Sequence, residues 1–216
     1  MSGAEPTQED LVRRVAEVGV RDQRLIQAFR EVSRARFVSL SHASVAFRDE
    51  PLPIPHRQVT TQPSLIAKMV EALELDGSET VLEVGTGYGF QTAVLAALSR
   101  FVWSIERWPD LAEVAQRHLA SQSTDNVSVV VGDGSGGLPE EAPFDAIIVA
   151  AAFPRVPETL ADQLAADGVL VQPLGRGGNE QVMRFVKGAG GLTRQRFVTG
   201  AHFVRLWGEH GFREGT

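Results

Sequence analysis

With 216 residues, a formal net charge of -6 and no cysteine, the chain is long enough for one large domain with an ample core. The same totals exclude disulfides, thiolate metal sites and a cysteine nucleophile, and they supply no basic field to hold nucleic acid by its phosphates. No apolar run of about 18 residues spans a membrane, and the N-terminal MSGAEPTQED lacks the basic-then-apolar order of a signal peptide, so the expectation is a cytoplasmic protein.

Residues 1–6 read as a loose tail. Thr7 with Asp10 has capping-box spacing, and Leu11, Val12, Val15 and Val18 follow at helical intervals until Gly19 stops the helix. Asp22 opens a second helix, with Leu25, Ile26, Phe29 and Val32 on one face. From Ser33 to Thr61 no clear period appears, and three prolines between Pro51 and Pro55 mark an ordered loop. Arg30, Arg34 and Arg36, mixed with acids, read as a solvated face. Pro63 fits the first helical position, with Gln62 at the cap and Thr61 just ahead of it. Leu65, Ile66, Met69, Val70 and Leu73 form the buried face of that helix. A helix start offers N–H groups and positive partial charge, which suits a carboxylate beside Thr61; alternatively Thr61 only helps to cap.

After Asp76-Gly77 the rhythm alternates. Strands are expected at 80–84, 101–105, 127–131 and 145–150, and helices at 90–99, 109–121 and 157–165. Such alternation builds an α/β fold: a parallel sheet with helices on both faces. From Gly168 the stretches VLVQPL, QVMRFVK, LTRQRFVT and FVRLW are strands without helices between them, so the sheet ends in antiparallel pairing. No Gly-, Ser- or Pro-rich linker divides the chain. The expectation is one domain over 1–216, with a helical, substrate-side extension at 1–60 and the core at 61–216. The polar end, 209–216, reads as frayed.

The stretch VLEVGTGYG, Val81–Gly89, reads as strand, tight turn and helix start. A dinucleotide fingerprint needs a small residue where Phe90 stands. The spacing of Gly85, Gly87 and Gly89 behind Glu83 is instead that of S-adenosylmethionine (SAM) methyltransferases, and a carboxylate suits a ligand carrying an ammonium group. The glycines alone also fit a turn that merely packs helix on strand. Glu106 ends the second strand about twenty residues beyond the first glycine, where an acid accepts hydrogen bonds from both ribose hydroxyls or else pairs with Arg107. Asp133 ends the third, placed to bond an adenine amino group while Gly134 clears room; an ordinary Asp-Gly turn is the other reading. Small residues at Ala150, Ala151 and Ala152 leave a cavity beside that ligand. The Asn/Asp-Pro-Pro-aromatic motif of amino-methylating nucleic-acid enzymes is absent there. No His/Asp or Ser/His pair stands out, His56 has either a site or a surface role, and the histidines lack metal-ligand spacing, so no metal is expected.

In RARFV (34–38), AFRDEPLPI (46–54), TQPSL (61–65), VLEVGTGYGFQTAVLA (81–96), SIER (104–107), VVVGDGSGGLPEEAPFDAIIVAAA and QPLG (172–175), the chain resembles the protein-L-isoaspartate (D-aspartate) O-methyltransferases over nearly its whole length. The resemblance implies a Rossmann-like SAM-dependent methyltransferase fold with a seven-stranded, mostly parallel sheet. It implies methyl transfer to the α-carboxylate of L-isoaspartyl residues in damaged proteins or peptides, with repair through a succinimide. Carried over residue by residue, Glu83, Gly85, Thr86 and Gly87 are similar to the cofactor turn, Glu106 to the ribose acid, and Asp133 with Gly134 to the adenine side. Thr61 falls on the active-site serine. The partners implied are isoaspartyl proteins or peptides, met by a monomer, with no nucleic acid and no membrane. Four departures lie on the substrate side: Thr61 for serine, Pro55 for glycine after PLPI, Phe47 for tyrosine, and the run His202 to Leu206, HFVRL, for R-F-V-P-L. These leave open a related enzyme acting on ordinary aspartate, or a SAM-binding module without turnover. A carboxylate, with a pKa near ~4, is already ionised at neutral pH and needs no general base.

Overall fold

The computed structural model describes residues 5–213; the ends of the tail and of the polar C-terminus, 1–4 and 214–216, lie outside the described residues. Helix α1 (Gln8–Glu17) starts on a reciprocal capping box: Asp10 N–H donates to the Thr7 hydroxyl, and Thr7 N–H donates to the Asp10 carboxylate at 2.8 Å. Helix α2 (Gln23–Glu31) starts on the Asp22 carboxylate, which accepts from Arg24 N–H at 2.8 Å. Their apolar stripes (Leu11, Val12, Val15, Leu25, Phe29) are buried. The two helices pack on α3 (Pro63–Glu71), and α2 also meets α4 (Phe90–Ala96). Phe90 explains why no small residue was needed after the glycine turn. Its ring meets Phe29 edge-on at 5.6 Å and Phe37 at 5.9 Å, so it anchors the helical extension rather than an adjacent strand.

The long loop before α3 holds more structure than its lack of period indicated. Two 3-10 segments, Arg34–Phe37 and Leu40–Val45, precede a short hairpin of β1 (Pro53–Ile54) and β2 (Gln58–Val59). Elements this short leave no periodic trace in a sequence. Arg34 is not on a solvated face, as its neighbours suggested, but 1% exposed. Its guanidinium donates to the carbonyls of Ala46 (3.1 Å), Arg48 (2.7 Å) and Glu50 (2.8 Å) and to Thr60 Oγ1 (3.1 Å). Burial pulls its pKa down to about 10, opposed by Asp49 and Glu50, which leaves it charged at neutral pH. One planar fork thus gathers the carbonyls of a loop that has no ladder of its own.

The core sheet comprises β3 (Thr80–Val84), β4 (Phe101–Glu106), β5 (Val127–Val131), β6 (Phe144–Val149), β7 (Leu164–Leu174), β8 (Glu180–Gly188) and β9 (Gly191–Ala201), in the order β5-β4-β3-β6-β7-β8-β9. The first five pair in parallel, and β8 pairs antiparallel with both β7 and β9. Helix α5 (Pro109–Ser121) follows β4 and α6 (Glu158–Gln163) precedes β7. Side-chain alternation along β3 feeds two cores: Val81 joins the one under α1–α4, while Leu82 and Val84 join the other with Phe144, Leu160 and Leu206. The chain reverses order at β3, so the carboxyl ends of β3, β4 and β6 open onto one crevice.

FVRLW is not a further strand of this sheet. Past β9 the buried Glu180 accepts the Phe203 N–H at 2.9 Å. Residues 204–206 then cross the end of β6 and make an isolated parallel bridge, Ala152 with Arg205. A strand-like pattern marks this segment because its faces alternate between core and solvent, although its pairing is with a loop.

Candidate active site

At the end of β3 the chain must turn sharply under whatever occupies the crevice. Gly85, with φ +98°, adopts a conformation that side-chain-bearing residues rarely take, and an added Cβ would lie 3.3 Å from the Ala150 Cβ. The small residues after β6 are therefore half of one close approach. Gly134 is the other tight point: a Cβ there would lie 2.5 Å from Val84 Cγ1. Gly85, Thr86, Gly87, Glu106, Gly134, Ala150 and Thr61 line a single cavity, roofed by Ile54, Gln58 and Val59 of the hairpin and walled by Val204 to Trp207.

The acids predicted from the strand ends take different places. Glu106 lines the cavity, 5% exposed. Its carboxylate accepts Gly87 N–H at 2.8 Å and Trp108 N–H at 3.0 Å, one on each oxygen. Burial raises its pKa against those donors. The Arg107 backbone N–H is a third donor to it, so the turn holds the carboxylate still while its remaining lone-pair capacity faces the cavity.

Glu83 does not face the cavity. It is fully buried beneath the turn, where Gln91 Nε2 (2.9 Å), Thr92 Oγ1 (2.5 Å) and Ser104 Oγ (2.6 Å) all donate to it. Desolvation outweighs the three donors and pushes its pKa up to about 7. Thr86 turns its hydroxyl down into the same network, 2.5 Å from Ser104 Oγ. Thus Glu83 and Thr86 brace the turn from below while Gly85 and Gly87 present its backbone above. Asp133 borders an adjoining recess with Arg107, Trp207 and Glu209. It accepts Ser135 N–H (2.9 Å), Ser135 Oγ (2.7 Å) and Glu209 N–H (2.7 Å). Burial raises its pKa, but these donors prevail and leave it below the usual carboxylate range.

Thr61 opens onto the cavity just ahead of α3, and its hydroxyl has no partner among the described residues. The helix start behind it is already satisfied, contrary to the expectation of free N–H groups. Ser64 N–H donates to Asp49 Oδ1 at 2.8 Å, and Leu65 and Ile66 donate to the Gln62 carbonyl, both at 3.0 Å. Asp49 also accepts from Gln62 Nε2 and Arg14 Nε. Burial works against its ionised form, yet the donors hold its pKa down. Nothing local in the sequence ties Asp49 to α3; only the folded loop brings them together.

His56 does not line the cavity but fastens its roof. At the tip of the hairpin, His56 and Arg57 both have positive φ, 59° and 57°, as a tight primed turn requires. The imidazole stacks on the Trp108 ring, centroids 3.9 Å apart and 3° from parallel, and its Nε2 lies 2.8 Å from Asp110 Oδ1. That bond holds the Asp110 carboxyl below its ordinary pKa. Trp108 was the missed residue here. Its signal was position, directly between the strand-end acid Glu106 and the helix-opening Pro109.

The cavity fits S-adenosylmethionine by its donor set: a backbone-braced acid for ribose hydroxyls, apolar walls at Val84, Ile105 and Leu111, and a glycine turn free of side chains.

The family model of protein-L-isoaspartate(D-aspartate) O-methyltransferase matches residues 6–211. The chain is 46% identical to a protein-L-isoaspartate O-methyltransferase of Trichlorobacter lovleyi, over 95% of this chain and 93% of that one. It is also 46% identical to one from Geobacter metallireducens, over 90% of each. A solved protein-L-isoaspartate O-methyltransferase superposes with a TM-score of 0.82 at 29% identity, covering 92% of this chain and 65% of that one. A Plasmodium falciparum structure in complex with S-adenosyl-L-homocysteine gives 0.81 at 22% identity, over 94% and 99% of the two chains, a likeness of fold alone.

Proposed function

The chain belongs to the protein-L-isoaspartate(D-aspartate) O-methyltransferase family, and we propose that its cavity performs that chemistry with Thr61 as the group that seats the acceptor. It is a SAM-dependent methyltransferase acting on the α-carboxylate of L-isoaspartyl residues, and the ester it forms starts repair through a succinimide. The observation that carries the reading is one cavity holding both the braced Glu106 and the unpartnered Thr61 hydroxyl.

S-adenosylmethionine, when bound, supplies a methyl group on a positively charged sulfur that leaves as a neutral thioether. Glu106 would accept the ribose hydroxyls, and the 85–87 backbone would present the turn to the amino-acid end. Gly134 leaves space at the adenine, with Asp133 beside it. The Thr61 hydroxyl would donate to one oxygen of the acceptor carboxylate and leave the other unengaged, facing the methyl donor. No proton moves, so no general base or acid is required of the chain. Its contribution is alignment and exclusion of water by the hairpin roof and the 204–207 wall. Because the α3 N–H groups are engaged by Asp49 and Gln62, the acceptor rests on Thr61 rather than on the helix start. We take the enzyme to act as a monomeric single domain in the cytoplasm, without nucleic acid or membrane; its acidic balance supports the former exclusion.

The test pairs an isoaspartyl peptide with its aspartyl twin and labelled S-adenosylmethionine. Methylation confined to the isoaspartyl peptide is expected, falling about 100-fold in kcat/KM for Thr61→Ala and at most a few-fold for Thr61→Ser. Wild-type rates in both variants would remove Thr61 from the mechanism, and methylation of the aspartyl twin would overturn the substrate.

A further inference from the structure

The segment that walls the cavity uses one side of its backbone and leaves the other open. Ala152 N–H donates to the Val204 carbonyl and Leu206 N–H to the Ala152 carbonyl, both at 2.8 Å. The N–H and C=O of Arg205 therefore point away from residue 152. Its side chain is exposed yet held in place. Nε donates to the Arg176 carbonyl at 3.1 Å, and the guanidinium lies over the rings of Phe212 (5.0 Å) and Trp207 (5.7 Å). No carboxylate pairs with it among the described residues.

Other charges at this cavity already have work. Glu106 is buried and bonded to backbone N–H groups, Arg34 is surrounded by loop oxygens, and Arg107 lies over the Trp108 ring, 5.4 Å from its centroid, and is engaged further. Arg205 thus sets a preordered cation on the rim of a site whose acceptor is an anion, in a protein of net charge -6. A guanidinium held by stacking loses little freedom when it captures a carboxylate.

We propose that Arg205 determines acceptor preference, favouring isoaspartyl residues with an acidic side chain next to them; this rests on the isoaspartyl transfer proposed above. Chemistry assigns the guanidinium to the neighbouring carboxylate. A fork bonded to the acceptor itself would draw charge off the oxygens that must stay nucleophilic.

Four isoaspartyl peptides, carrying Glu or Lys immediately before or after the isoaspartyl residue, test the idea in the full-length enzyme. At one of the two positions kcat/KM is expected to favour Glu over Lys about tenfold, chiefly through KM. The ratio collapses towards one for Arg205→Gln and inverts for Arg205→Glu. For the wild type it shrinks as ionic strength rises from ~0.05 to ~1 M. Methylation of all four peptides at equal kcat/KM, or a preference that survives Arg205→Gln, overturns this inference alone. Failure to methylate any of them overturns the isoaspartyl reading instead.

Discussion

Replacing Glu83 by Gln removes the one ionisable group sealed under the glycine turn and leaves its volume nearly unchanged. The wild-type carboxyl has a folded pKa of about 7, raised by burial from 4.5. At 1.36 kcal/mol per unit, keeping it ionised costs the folded state ~3 kcal/mol. The sign follows from proton counting. Below pH 4.5 both states hold the proton and nothing is lost. Between pH 4.5 and 7 the unfolded chain releases it while the folded chain retains it, so stability falls as pH rises. Above pH 7 the loss is complete and the curve flattens. The Gln variant has no such slope, and Thr92 and Ser104 can rotate their hydroxyls to accept from its amide. Urea unfolding of both proteins at intervals from pH 4 to 8 reads the effect. The stability of the variant minus that of wild type should climb by ~3 kcal/mol between pH 4.5 and 7.5 and then level off. Any titration of Glu106 is shared by both proteins and largely cancels. A difference that stays constant with pH would mean that the three donors keep Glu83 ionised throughout, and the burial argument would fail.

Two further outcomes follow from the same geometry. Glu106→Ala should weaken S-adenosylmethionine more than tenfold by calorimetry, since it removes the hydroxyl acceptor and frees the Gly87 and Trp108 N–H groups; native affinity would show that the acid does not meet the ribose. Arg34→Met should cost about 3 kcal/mol or more in denaturant unfolding, because three loop carbonyls lose the guanidinium together and Thr60 Oγ1 is left with the Leu52 N–H alone; a loss below about 1 kcal/mol would mean that water replaces the guanidinium.

Local chemistry made much of this molecule legible in advance. The Thr7 box, the Asp22 cap, Pro63 opening α3 and the glycine turn are backbone requirements met within a few residues, so they show in the order of amino acids. Alternation of strands and helices likewise determined a parallel sheet and an antiparallel edge, and with them the end of the sheet where the cavity opens. Tertiary structure alone decided which way the key side chains face. Glu83 lies at a strand end suited to a ligand, yet the pleat directs it under α4. Arg34 looks like surface charge until a loop without a ladder folds around it. His56 finds Trp108 and Asp110 across more than fifty residues, and Asp49 takes the Ser64 N–H that a bare helix start would have offered. Such partners are chosen by packing in three dimensions, where burial and unsatisfied backbone groups set the energies, and sequence proximity carries no record of them.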